Sequence, residues 1–401
     1  MESHIRDIFS RPVSEPLSTG ILPSQTLRQF VESGYIVSPF KVDDKQVQPA
    51  SIDLRLGRKA YRVKASFLPG KSTVEAKLQD LLVREIDLQH PTVFPKGEVF
   101  IVELVEGLFL PKDVSGRANP KSTTGRLDIF TRLITEGARE FEYVPKGYKG
   151  KLYLEVVSRT FPIILRAGIT LNQLRLVKGD PPHLTDGMLE KMAGKEHLVY
   201  ENGEKPTDPE IDRGLRVSVD LQGNGTNIVG YKARSSALEI NLDRVDYYDV
   251  RDFWEPILTP HSKTIILEPR DFYILASRER ISVPPTHAAE MVPFDASIGE
   301  FRVHYAGFFD PGFGHGVNGT KAVLEVRAHE VPILLEDGQL VGALIYHKMA
   351  QVPDKIYGPS IGSSYQQQGL ALSKQFKRPQ AEHQHASSPA TPTVTPQIVL
   401  L

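Results

Sequence analysis

The chain of 401 residues contains no cysteine, which excludes disulfides, thiolate catalysis and Cys-ligated zinc. It has no apolar run long enough to span a membrane, and its first residues lack the apolar core of a signal peptide. The formal net charge is only −1, so the basic face that binds duplex nucleic acid or an anionic membrane is missing. We therefore expect a cytoplasmic protein that binds neither a membrane nor duplex nucleic acid.

What the chain does contain is a faint internal repeat. Leu154-Glu155-Val156 reappears as Leu324-Glu325-Val326, and Gly168 reappears as Gly338, both 170 residues further along. Such units are far longer than the roughly 20–50 residues of a solenoid repeat, so they indicate a duplicated domain. A glutamate inside an apolar strand is a candidate proton shuttle, because burial raises the pKa of a carboxyl group. The alternative is an outward-facing glutamate on a half-exposed strand.

Short strands dominate the rest of the pattern. The β-branched and aromatic runs predict strands over residues 98–104, 151–157, 163–165, 264–267, 323–327 and 340–346. Two short helices are predicted, one over residues 25–32 with Ser24 as its N-cap and one over residues 186–193. The polar segment Lys195 to Gly214 is interpreted as a linker or an exposed connection, and the Pro- and Ser-rich end as a disordered tail. Antiparallel barrels or sandwiches are therefore expected.

The segment Asn119 to Arg126 concentrates hydroxyl groups and cations. It can offer N–H groups, O–H groups and a cation to phosphate oxygens, although the order of a P-loop is missing. The alternative is a polar β-turn with solvated charges. The twelve His residues form no HExxH motif, which argues against metal catalysis by protein ligands.

Two later segments hold further candidate ligands. Asp310-Pro311-Gly312 predicts a tight turn, where an Asp most often accepts turn hydrogen bonds. Tyr357 and the run Tyr365 to Gly369 lie in a stretch rich in Gly and Ser, which alone would indicate a flexible tail. A Gln amide can nevertheless read both a donor and an acceptor on a base edge.

In the first copy these segments resemble the dCTP deaminases of the dUTPase-like superfamily. Ser51 to Gly57 is similar to the family's opening strand, and Lys121 to Arg126 is similar to its R-S-S-x-x-R segment, with Lys in place of the first Arg. Leu154-Glu155-Val156 matches the strand that carries the family's catalytic Glu. The first copy departs from the family at Tyr143 to Tyr148, which replaces the D-P-G turn, and no lid follows.

The second copy resembles the same family in complementary places. His304 to Gly307 and Asp310 to Phe313 are similar to the segment that leads into I-D-P-G-W, and Glu325 holds the Glu position. Tyr357 to Gly369 is similar to the C-terminal lid. Phe294 to Ser297 replaces the R-S-S segment, and its Arg is absent. Because family sites form between neighbouring subunits, we expect a composite site, inter-domain or inter-subunit, in a homo-oligomer.

The resemblance implies a mainly β fold of two tandem dUTPase-like distorted β-barrel or jelly-roll domains with a few short helices. The predicted boundaries are residues 1–205 and 211–377, with a disordered tail over 378–401.

The implied reaction is zinc-independent hydrolytic deamination of dCTP to dUTP and ammonia. Glu325 or Glu155 would shuttle protons, and the repeat leaves open which of them is catalytic. Ser122 would hold the water or the exocyclic amine, and Arg126 would orient the Glu.

The implied substrate contacts surround these groups. Lys121 and Thr123 would contact the phosphates, with Mg²⁺ held through the triphosphate and no zinc. Backbone groups from Tyr305 to Gly307 would complete the water site, and Asp310 is a further substrate-binding candidate. Tyr357 and Gln367 would close over the nucleotide.

Two alternatives remain open at this point. One is a dUTP diphosphatase, or a bifunctional dCTP deaminase and dUTPase, in which an Asp activates water against the α-phosphate. The other is a non-catalytic nucleotide sensor, in which duplication freed both halves to lose catalytic groups.

Overall fold

The computed structural model describes residues 18–201, 205–223, 227–235, 238–293, 301–303, 307–328, 330–358 and 369–378. The helices are α1 (Ser24–Glu32), α2 (Val74–Leu81), α3 (Ser122–Gly125), α4 (Asp186–Ala193) and α5 (Val250–Phe253). The strands of the first half are β1 (Gly20–Ile21), β2 (Ile36–Val37), β3 (Ile52–Val63), β4 (Leu82–Asp87), β5 (Thr92–Phe94), β6 (Val99–Phe109), β7 (Val114–Pro120), β8 (Ile129–Thr135), β9 (Tyr143–Val144), β10 (Lys149–Ser158), β11 (Ile163–Leu165) and β12 (Thr170–Lys178). Those of the second half are β13 (Val199–Glu201), β14 (Lys205–Thr207), β15 (Leu215–Ser218), β16 (Ile228–Ala233), β17 (Ile240–Asn241), β18 (Trp254–Leu258), β19 (Thr264–Leu267), β20 (Phe272–Ile281), β21 (His287–Pro293), β22 (Phe301–Val303), β23 (Phe308–Phe309), β24 (Thr320–Ala328), β25 (Ile333–Glu336) and β26 (Leu340–Lys348).

The fold is mainly β, as predicted. All six strands expected from the sequence are present, and four of them are longer than expected. Helix α4 has the predicted bounds, whereas α1 begins one residue early, because Pro23 takes the N-cap position. The prediction that Ser24 caps α1 is therefore wrong; its hydroxyl donates to Asp354 instead. In the described residues, no helix is long and apolar enough to cross a membrane.

The main sheet of the first half has the strand order β8-β10-β6-β3-β12-β7-β9. Glu155 on β10 lies opposite Ile101 on one side and Arg132 on the other. The second half repeats this arrangement, because Glu325 on β24 lies opposite Ile274 of β20, with β22 on its other side. The two glutamates therefore occupy equivalent positions in two related sheets.

The segment Lys195 to Gly214 is not a free linker, because part of it is folded with the second half, although most of its described residues are exposed as a surface connection would be. Val199 pairs with Ile281 of β20 and with Thr207 of β14. Leu189 and Leu198 are buried in the core of the second half. The change from one half to the other consequently lies upstream of α4, rather than at residue 205.

The two halves also share a core. Ile240 of β17 pairs in parallel with Ile163 of β11, so the second half adds a strand to a sheet of the first. Phe253 and Trp254 pack edge-on against Phe161, with ring centroids 5.6 and 5.7 Å apart. Buried aromatic rings contribute strongly to packing. This core fixes how the halves face each other, and the candidate site lies at their boundary.

Candidate active site

The segment Lys121 to Arg126 continues from β7 into the short helix α3. Lys121 has extended backbone angles (φ −72°, ψ 149°), and its amide donates to the Leu171 carbonyl at 3.0 Å. The Thr124 hydroxyl donates to the same carbonyl at 2.8 Å. Ser122 is half-buried, whereas Arg126 is 6% exposed. These contacts fix the turn to β12.

Glu325 of the second half lies directly against this segment. A Cβ built on Gly125 would overlap the Glu325 carboxylate, so any larger residue at this position requires that carboxylate to move. Glu325 itself is 2% exposed. The structure thus places Glu325 of the second half against Gly125 of the first, which directly precedes Arg126 and lies three residues after Ser122. The sequence analysis gave Gly125 no role, although it is the only glycine between Lys121 and Arg126.

Glu155 has a different environment. Its Oε1 accepts hydrogen bonds from Arg132 Nε at 2.9 Å and Nη2 at 2.6 Å. Its Oε2 accepts none from the residues that the structure describes. The Arg132 guanidinium lies 3.6 Å from the ring centroid of Phe141 and bonds Ser66 at 2.6 Å. Arg132 therefore covers Glu155 and balances its charge. The sequence analysis missed this partner, which lies opposite Glu155 on the neighbouring strand β8.

A charged cluster lies beside Lys121. Its Nζ forms an ion pair with Asp53 and donates to Thr170 Oγ1 at 2.9 Å. Burial raises the pKa of the Asp53 carboxyl, and Lys121 opposes that rise. Burial and the charge of Lys121 lower the pKa of Lys374. The sequence analysis did not name Lys374 as a site residue. Two lysines near one carboxylate favour an anionic ligand.

Asp310 is held by the first half. Arg175 Nη2 lies 3.2 Å from Asp310 Oδ1 and 2.9 Å from the Phe309 carbonyl, and Nη1 donates to the Ala289 carbonyl at 2.9 Å. Burial raises the pKa of Asp310, an effect that the Arg175 charge opposes. The Gly307 amide donates to Asn119 Oδ1 at 2.5 Å, which ties the expected water site to the start of the Asn119 to Arg126 segment.

Residues near the C-terminus reach the same region. The Tyr357 amide donates to the Pro311 carbonyl at 2.8 Å, and its ring centroid is 5.4 Å from that of Phe313. Arg126 Nη1 donates to the Ala371 carbonyl at 3.0 Å, and Ser373 Oγ donates to the Thr123 carbonyl at 2.9 Å. We call residues 371–376 the C-terminal strap. Tyr305, Gln367, residues 294–297 and the tail beyond Arg378 lie outside the described residues.

Such an arrangement can do two things chemically. A carboxylate, a guanidinium and a hydroxyl are groups that can take part in acid–base chemistry, and neighbouring lysines are groups that can hold an anion. Among the described residues, no group of three or more His, Asp or Glu side chains converges to hold a metal ion.

Comparison with known proteins shows which family this chain resembles. Residues 18–180 match the family model for the 2'-deoxycytidine 5'-triphosphate deaminase N-terminal domain, and residues 185–376 match the model for its C-terminal domain. The "dCTP deaminase" of Halorubrum lacusprofundi is 32% identical over 203 residues, covering 48% of this chain and 89% of that protein. The "dCTP deaminase, dUMP-forming" of Dictyoglomus thermophilum is 29% identical over 190 residues, covering 47% of this chain and 92% of that protein.

A solved structure matches over both halves. The crystal structure of 2'-deoxycytidine 5'-triphosphate deaminase from Agrobacterium tumefaciens is 49% identical, with a TM-score of 0.79. The match covers 83% of this chain and 99% of that one. With both family models matched and this fold shared, the chain belongs to the dCTP deaminase family.

Proposed function

We propose that the chain hydrolyses dCTP to dUTP and ammonia at a composite site between its halves, formed by Ser122, Arg126 and Glu325. The observation that carries this proposal is the contact of the Glu325 carboxylate with Gly125. It joins the segment retained in the first copy with the glutamate of the second. Since both come from one chain, the inter-domain form of the composite site is favoured. A homo-oligomer and a cytoplasmic location stay predictions.

The proposed reaction is an addition followed by an elimination. Glu325 takes a proton from water while the water oxygen bonds to C4 of cytosine, and it delivers that proton to N3. It then carries the proton of the new hydroxyl group to the exocyclic amine. The C4–N bond breaks, ammonia leaves, and the product has a carbonyl at C4 and a proton on N3. Ser122 would hold the water or the amine, and Arg126 would orient the carboxylate.

This scheme assigns water activation to a carboxylate. Zinc deaminases use a metal-bound water held by His and Cys ligands, and the present chain has no Cys to supply them. General acid–base catalysis contributes about 10²–10⁴-fold, so positioning of substrate and water must contribute as well.

The phosphates would lie toward Lys121, Thr123 and Lys374. Lys121 and Lys374 carry the positive charge of this cluster, and Asp53 balances only part of it. Mg²⁺ fits this end through the substrate's own oxygens, because Asp53 and Asp310 already pair with Lys121 and Arg175. When bound, Mg²⁺ would neutralise phosphate charge. Tyr357, which packs beside the Asp310 turn, and Gln367 would close over the nucleotide.

We assign the proton shuttle to Glu325 and a structural part to Glu155. Arg132 occupies Glu155 with two hydrogen bonds, and the ring of Phe141 covers Arg132. A carboxylate that Arg132 already occupies is poorly suited to exchanging protons with a substrate.

The test supplies dCTP and dUTP separately to the wild-type chain and to Glu325→Gln, measuring ammonia and pyrophosphate. We expect one ammonia per dCTP, no pyrophosphate, and loss of ammonia release in the variant. Pyrophosphate from both nucleotides would instead indicate a dUMP-forming enzyme, and pyrophosphate from dUTP alone a diphosphatase. Tight binding of dCTP with no product would indicate a sensor and overturn the proposal.

A further inference from the structure

Arg327 follows Glu325 by two residues on β24, so both side chains point to the same side of the strand. Glu325 contacts Gly125, and Arg327 forms an ion pair with Asp128 of the first half. Asp128 follows Arg126 by two residues. The two cross-half contacts therefore lie side by side.

The ion pair is buried and well bonded. The Arg327 side chain is 12% exposed and that of Asp128 is fully buried. Thr160 links the pair, because its hydroxyl donates to Asp128 Oδ2 at 2.5 Å and accepts from Arg327 Nη2 at 2.9 Å. Arg327 Nη1 also donates to the Arg270 carbonyl, which fixes the guanidinium within its own half.

The backbone at Asp128 is unusual in the same place. Its φ is 56°, in the left-handed region where residues other than glycine are uncommon. The Asp128 carbonyl accepts from the Arg159 amide at 3.0 Å, and its amide donates to the Gly125 carbonyl at 2.9 Å. The backbone turn that carries Arg126 into β8 is thus fixed at the residue that binds Arg327.

The first half has no equivalent pair at its own glutamate. The residue two positions after Glu155 is Val157, which cannot form an ion pair. Among the residues that the structure describes, the ion pair to the other half is therefore seen at the Glu325 strand and not at the Glu155 strand.

We propose that Arg327, Asp128 and Thr160 are positioning residues that hold Glu325 in register with Ser122 and Arg126. This inference rests on the proposed function, because it presumes that Glu325 carries the protons. A buried ion pair is a known means of fixing the register of two elements. Glu325 lies close to Gly125. A small shift of β24 would therefore move its carboxylate away from Ser122 and Arg126.

The experiment measures kcat and KM for dCTP in Arg327→Met, Asp128→Asn and the double variant. We expect kcat to fall by about 10²-fold in each, the loss associated with a displacement of about 1 Å, while KM stays near the wild-type value. The double variant should be no slower than either single variant, because both changes remove one interaction. Arg327→Lys keeps the charge but loses the planar guanidinium with its several N–H donors. Its kcat should therefore lie between those of Arg327→Met and the wild type.

Lys321→Met is the matched control. Lys321 lies on the same strand and forms an ion pair with Asp220, the two side chains being 7% and 8% exposed. Its loss should lower the thermal unfolding temperature as much as Arg327→Met does, and it should leave kcat unchanged. The comparison thereby separates the general loss of stability on breaking a buried ion pair from the displacement of Glu325.

The two proposals fail in different ways. Full activity in Glu325→Gln would overturn the assignment of the proton shuttle. An inactive Glu325→Gln combined with wild-type kcat in folded Arg327→Met and Asp128→Asn would overturn the positioning proposal alone. Equal loss of kcat in Arg327→Met and Lys321→Met would overturn it too, since the effect would then be general destabilisation.

Discussion

Strands β10 and β24 carry equivalent glutamates in opposite surroundings. Glu155 is matched by an arginine of its own half, and the ring of Phe141 covers that arginine. Glu325 instead faces a segment of the other half at Gly125. A buried carboxylate must be paired or hydrogen-bonded, because an isolated buried charge is costly. On the proposed assignment, a duplicated position has retained its residue while one copy supports the fold and the other serves the site.

The largest expected effect separates the two glutamates directly. Glu325→Gln should lower kcat for dCTP by about 10³-fold, because the acid–base group is lost. Glu155→Gln should leave kcat near the wild-type value, because Arg132 already occupies that carboxylate. Ammonia release under saturating dCTP measures both, with thermal unfolding as the check on folding. Equal losses in the two variants would contradict a single catalytic glutamate.

The second prediction concerns the partner of Glu155. Arg132→Met should destabilise the fold by about 3 kcal/mol, because it leaves a buried carboxylate unpaired, while kcat of the folded fraction stays unchanged. Urea unfolding measures the first effect. Arg58→Met is the control, since its ion pair with Asp87 is 61% and 60% exposed and should be worth at most about 1 kcal/mol. A large loss of kcat in Arg132→Met would place Glu155 in the reaction.

The third prediction probes the contact itself. Gly125→Ala should lower kcat by about 10²-fold, because the added methyl group displaces the Glu325 carboxylate. Gly187→Ala is the matched control in helix α4, where an added Cβ meets nothing within 4 Å. The control should retain activity and gain slightly in stability. Wild-type kcat in a folded Gly125→Ala would show that the two groups need not touch.

The smallest effect is a pH dependence that belongs to the second half. Burial, with help from the Arg175 charge, lowers the pKa of His347 to about 4, and its counterpart in the first half is Val177. Below its usual pKa of 6.5 the unfolded chain binds a proton that the folded chain does not. Stability should therefore fall as the pH drops from 6.5 toward 4, by about 1 kcal/mol per pH unit.

His347→Gln tests that dependence by urea unfolding between pH 7 and 5. The variant should show a shallower fall than the wild type, with part of it remaining because burial also lowers the pKa of His287. Identical slopes for the two proteins would contradict the assignment to His347.

Local patterns predicted the strands and helix α4 well, because alternation and capping act over a few residues. Helix α2 was missed, although Thr73 caps it and Val74 and Leu78 form its buried side. Polar composition indicated the exposure of the segment Lys195 to Gly214, but it does not reveal that Val199 pairs with β20.

The resemblance predicted the residue types of the candidate site and a composite arrangement, and it left open which glutamate is catalytic. The structure places Glu325 against Gly125, in the segment that contains Ser122 and Arg126, and the roles of these residues stay predictions. The choice between the glutamates depends on Arg132, a cross-strand neighbour, and on Gly125, a contact between halves. Such contacts follow from how Phe161, Phe253 and Trp254 pack across the boundary, and no sequence pattern encodes that packing.

The C-terminal strap affects how the protein folds during its synthesis. Phe376 packs between Phe253 and Trp254, with centroids 5.5 and 5.9 Å away, in the same core as Leu22 near the other end. All residues from Leu22 to Phe376 must therefore have left the ribosome before this core can close, and contacts so distant along a chain form slowly. The nascent first half consequently meets Glu325 and Ser373 only after the second half has been synthesised, so we expect activity to appear after that point.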